Sequence, residues 1–129
     1  MHPSYFHISN IPESDPSGSL HLSAEASEWL FYIKFWDAVN AELASSFGQY
    51  EDDVLPSNRV ADVLRMINDL EDRCLREPPH TQNVVYGWTQ QGEELWFSIK
   101  KETLCASLRD IKLFLRKAID LHSDIYCQL

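Results

Sequence analysis

Two alternating runs, NVVYGWT at residues 83–89 and ELWFSIK at 94–100, are joined by QQGE and constrain this chain more than any other feature. Apolar residues at every second position turn one strand face to a core and the other to water, so the runs predict a β-hairpin over 83–100. Leu95, Phe97 and Ile99 share one face of the second run. Val84, Tyr86 and Trp88 share one face of the first, with Gly87 on the other side as a place for close backbone approach. Gly92 offers the positive φ that a tight turn needs. Two strands are marginal alone in water. A third is expected from YFHI at 5–8, and helices must cover one face.

The stretch EWLFYIKFWDAV, residues 28–39, bears on where those helices lie. Its longest uninterrupted apolar run, Trp29 to Ile33, falls far short of the roughly 20 residues that cross a bilayer. At helical spacing Trp29, Tyr32, Ile33, Phe35, Trp36, Val39, Leu43 and Phe47 gather on one side, with Lys34, Asp37, Ala41 and Ser45 opposite. A strand over 28–36 competes, because aromatic residues suit one. The flanking SAEASE and DAVNAELA favour a helix, running from a Ser23 cap to about Ser46 or Phe47 with Gly48 as the stop. Leu30 and Phe31 fall off the main stripe. They either meet a second element or serve as anchors for a partner.

Residues 9–19 and 48–58 read as loops. Ser57 is expected to cap a helix reaching Glu77, ended by Pro78-Pro79. Val60, Val63, Leu64, Ile67, Leu70 and Cys74 form its stripe. Asp69 with Arg73, and Asp72 with Arg76, stand four apart on its wet face. Glu71 falls on the apolar side and is expected to reach water from the end of the stripe. A last helix is predicted over 103–126, burying Leu104, Leu108, Ile111, Leu115, Ile119, His122, Ile125 and Tyr126. The sum is one α+β domain over residues 1–129: a small antiparallel sheet packed against three helices.

No motif for chemistry stands out. The five histidines lack metal-ligand spacing, and His122 reads as a core residue. No serine or cysteine sits in a glycine-flanked elbow. Four glycines are too few and too scattered for a phosphate loop. Cys74, Cys105 and Cys127 read as reduced thiols, and MHPSYFHIS lacks the features of a secretory signal, so a cytoplasmic protein is expected. No cofactor, metal or enzymatic activity is expected.

Charge carries the functional expectation. The net charge is −9, and residues 1–56 hold nine acids (Glu13, Asp15, Glu25, Glu28, Asp37, Glu42, Glu51, Asp52 and Asp53) against Lys34 alone. Such a field opposes direct nucleic-acid binding and favours a basic protein partner. In YEDD an aromatic anchor, Tyr50, precedes three acids, Glu51, Asp52 and Asp53, on an expected loop. These features point to a non-enzymatic inhibitor, an immunity-type protein that neutralises a basic toxin or nuclease by electrostatic capture. The competing expectation is a homodimeric chaperone or adaptor holding a client on Leu30, Phe31 or a sheet edge.

Overall fold

The computed structural model covers residues 1–129 and is an α+β fold with two separate antiparallel sheets and four α-helices. The predicted hairpin is β4 (Thr81–Trp88) and β5 (Glu94–Lys100). Gly92 has φ +81°, and its N–H donates to the Thr89 carbonyl at 3.0 Å, closing the turn. A bulge at Tyr86 shifts the register, so that Val84 opposes Phe97 whereas Gly87 opposes Leu95. Val84, Tyr86 and Trp88 therefore do not share one face. Val84 is fully buried and Trp88 is exposed. A methyl group at Gly87 would meet Leu95 at an ordinary 3.7 Å, so close approach does not explain that glycine.

The N-terminal strand does not join the hairpin. It is β1 (Ser4–Ile8), inside a four-stranded sheet of order β2-β1-β6-β3, with β2 at Ser19–Leu22, β3 at Asp52–Leu55 and β6 at Ile125–Gln128. Phe6 opposes Cys127 and Ile8 opposes Ile125; Leu55 meets Ile125 from the other side. These residues make the inner face, all of them buried. The partly covered outer face carries Tyr5, His7, His21, Asp52, Val54, Tyr126 and Gln128.

Three expected helices are corrected. The first helix is two: α1 (Ala24–Tyr32), with the Ser23 side chain accepting from Ala26 N, and α2 (Phe35–Leu43). Lys34, between them, adopts φ 61°, which lets the chain turn so that Trp29 and Leu30 pack from one helix and Phe35, Trp36 and Val39 from the other. Tyr32 is left exposed. Ala44, not Gly48, takes the left-handed position that ends α2. Helix α3 (Val60–Arg76) starts after a 3-10 turn at Ser57–Arg59, and the Ser57 backbone N–H donates to the Asp124 carboxylate at 2.7 Å. Helix α4 (Lys101–Asp120) stops before His122, whose φ of 49° redirects the chain into β6. His122 is exposed, and Ile125 and Tyr126 belong to a strand rather than to the helix.

One core joins both sheets to the helices. Val63 and Ile67 of α3 and Leu108, Ile111 and Leu115 of α4 pack with Trp36, Phe6 and Ile125, and Val84 and Ile99 extend the cluster into the hairpin base. The Trp29 indole N–H donates to Gln82 Oε1 at 2.9 Å, tying α1 to β4. Burying a side chain of this size contributes roughly 1.5–3 kcal/mol, so the aromatic-rich stretch is spent largely inside. No helix is long and apolar enough to cross a membrane.

Candidate functional site

The YEDD segment does not form the expected loop. Asp52 and Asp53 begin β3, an edge strand whose only neighbour is β6. Strand alternation then sends their side chains to opposite faces. Asp52 stands on the outer face beside Tyr126. Asp53, opposite buried Cys127, is half-buried, and its Oδ1 accepts from Val54 N at 2.7 Å. The Glu51 carboxylate folds back against Gly48, where a Cβ would lie 2.7 Å from Oε2. Four consecutive residues thus point four ways.

Tyr50 is the projecting member. Its φ is 64°, a strained value for a non-glycine residue, and it is held by reciprocal backbone bonds at the end of β6: Tyr50 N to Leu129 O at 2.6 Å, and Leu129 N to Glu51 O at 3.1 Å. The side chain is 64% exposed and meets His2 edge-on at 5.5 Å. Partial desolvation, then the nearby Glu28 carboxylate, raise the phenol above its ordinary pKa. Glu28 is itself buried and accepts from Gln49 Nε2 at 2.7 Å.

Tyr126 is a member of this surface that the sequence pattern hid inside a helix. A hydrogen bond with Asp52 raises its phenol pKa, with desolvation and the Asp52 and Glu13 charges acting in the same direction. Tyr5 lies across the same face, against His21 at a ring distance of 4.9 Å. The outer sheet face therefore gathers two tyrosines and Asp52, with the Glu13 charge acting on it from the loop after β1.

The other proposed anchors fare differently. Leu30 is 2% exposed, packed in the core, and is not available to a partner. Phe31 is half-buried against the core, its ring 6.4 Å from that of Trp36. Exposed aromatic surface lies instead on the hairpin, where Trp88 is 66% and Trp96 57% exposed. The alternation of β5 marks Trp96 as outward, but the bulge at Tyr86 concealed the orientation of Trp88.

The cations of the second half do not neutralise the N-terminal acids. Of the nine acids in residues 1–56, Glu42 alone forms an ion pair, with Arg65. Lys112 bonds Glu71 at 2.5 Å, so Glu71 is buried and paired across α3 and α4 instead of reaching water. Lys117 donates to Ser17 O at 2.7 Å and only adds to the lowering of the Asp15 carboxyl, which stems mainly from its hydrogen bonds to Ser17. On α3, Arg65 takes Asp69, while the anticipated Asp69–Arg73 and Asp72–Arg76 pairs do not form.

Two further features were not foreseen. An open cleft of about 550 Å³ lies between α1, α2, α3 and the hairpin base, floored by Trp29, Phe35, Met66 and Leu70. Its rim carries three cations (Lys34, Arg65, Arg73) and three acids (Glu42, Asp69, Glu77), so it selects no ligand charge. Cys74 and Cys105 face each other across α3 and α4 with sulfurs 2.7 Å apart. Burial, then the Cys105 hydrogen bond, push the Cys74 thiol up to about 12. No three His, Cys, Asp or Glu side chains converge as metal ligands. No protein-family model, curated protein or solved structure matches the chain.

Proposed function

We propose that this chain is a non-enzymatic acidic binding protein of the inhibitor or immunity type, one that neutralises a basic toxin or nuclease by capturing it electrostatically. A single observation carries the reading: eight of the nine N-terminal acids have no ion-pair partner within the chain. Their field is free to act on something outside. The β3 edge offers the register for contact, with Tyr50 as a projecting ring and Asp52 beside Tyr126 as acceptors for Lys or Arg. Asp53 and Glu51, half-buried and folded back respectively, add charge more than direct contact.

The test is affinity capture from the native cell with elution by rising salt, run in parallel with a Tyr50→Ala/Asp52→Lys variant. A basic protein that leaves the wild-type chain at moderate salt and is not retained by the variant supports capture by charge. A client that stays bound in high salt and ignores the variant overturns it. That second outcome belongs to a chaperone or adaptor, a reading favoured by the exposed Trp88 and Trp96 and no longer by Leu30.

A further inference from the structure

The hairpin ends in a free edge whose chemistry is specific. Lys101 N donates to His80 O at 3.0 Å and Thr89 N to Glu93 O at 2.8 Å, which sets the parity of the ladder. Leu95, Phe97 and Ile99 turn their backbone groups toward β4, while those of Glu94, Trp96 and Ser98 and the Lys100 N–H turn outward. No other element bonds these outward groups, and all four side chains are exposed. An uncovered edge is a template for another strand.

We infer that this chain pairs with a second copy of itself through β5, antiparallel and centred on Phe97, joining two hairpins into one four-stranded sheet. The strand is its own complement in that register. Rotation about Phe97 sets Glu94 of one copy opposite Lys100 of the other, and the same pair recurs at the far end. Trp96 then opposes Ser98, two outward-bonding positions, so the parity of the new ladder is correct. The two Trp96 rings become diagonal neighbours at about 7–8 Å, within aromatic reach. On the inner face Leu95, now 36% exposed, meets Ile99 of the second copy. Pairing stops at Lys100, one residue before α4 departs. A register moved by two residues would lose both charge pairs. The interface shares no residue with the Tyr50–Asp52 surface, so either can fail without the other.

Sedimentation velocity over a concentration series tests this, with Glu94→Lys and Lys100→Glu measured singly and mixed. Each exposed-site variant places like charges opposite each other twice, and self-association is expected to weaken about tenfold. Mixing the two variants restores opposite charges at both ends, so a heterodimer of wild-type affinity is expected. Ser98→Pro, which removes an outward N–H unused by the hairpin, is expected to abolish the dimer while circular dichroism stays unchanged. A wild-type chain that remains monomeric at several hundred micromolar overturns the proposal. So do single variants that dimerise like wild type, which would place the contact on another face.

Discussion

The four-stranded sheet and the hairpin are both antiparallel, yet they solve opposite problems. Strands β1 and β6 stand side by side from distant parts of the chain, and their inner residues Ile8 and Ile125 are fully buried. Strands β4 and β5 are joined by a five-residue turn, and their tryptophans face water. The first sheet is a foundation that cannot be laid until β6 joins the strands made before it. The second is a local structure whose ladder is specified by its own turn and whose surface is left over for contact. Burial and sequence separation rise together here, and exposure accompanies locality.

The most drastic way to break this contrast is to delete Ile125–Leu129. β6 lies between β1 and β3, so its loss leaves only the β1–β2 pair of the four-stranded sheet and is expected to abolish cooperative unfolding in a thermal melt followed by circular dichroism. At single-residue scale, Ile8→Ala is expected to cost about 2–5 kcal/mol in a urea titration, whereas Trp96→Ala should stay within about 0.5 kcal/mol measured at a concentration where the chain is monomeric. Equal effects would erase the distinction between the two sheets. The helical layer beneath both should be intermediate: Lys112→Ala leaves the Glu71 carboxylate buried without its partner, at about 1–3 kcal/mol. Smaller again, Ala44→Gly relieves a left-handed residue at the end of α2 and should stabilise by about 0.5–1 kcal/mol. A final measurement alters no stability. Cys74 and Cys127, both buried and with thiols pushed up to about 12, stay protonated at neutral pH, so iodoacetamide should modify half-buried Cys105 first, as read by peptide mass spectrometry.

How far each region could be read from the amino acids follows the same divide. The hairpin was legible because its alternation and Gly92 lie within 20 residues, although the Tyr86 bulge was not. Strands β2, β3 and β6 have four residues each, too few for a period to emerge, and their partners lie far along the chain. Ile125 and Tyr126 also continued the helical spacing of α4, and nothing but the polar HSD ahead of them hinted at a break. Lys34 and Ala44 took left-handed conformations without the glycine that would announce them. For the acidic surface, the imbalance of charge was plain from counting. Its arrangement was not, because adjacent acids on a strand part company, and Tyr126 joined Asp52 only through pairing across the sheet.

The position of β6 has a consequence for biosynthesis. A ribosome makes β1, β2 and β3 long before the strand that will unite them, so until residues 125–128 emerge two of their backbone edges remain open while their apolar faces have no floor. Helices and hairpin can form as they emerge, but the sheet must wait. The nascent chain is therefore open to misassembly until β6 emerges, and shielding before that point matters more to its yield than any contact made early.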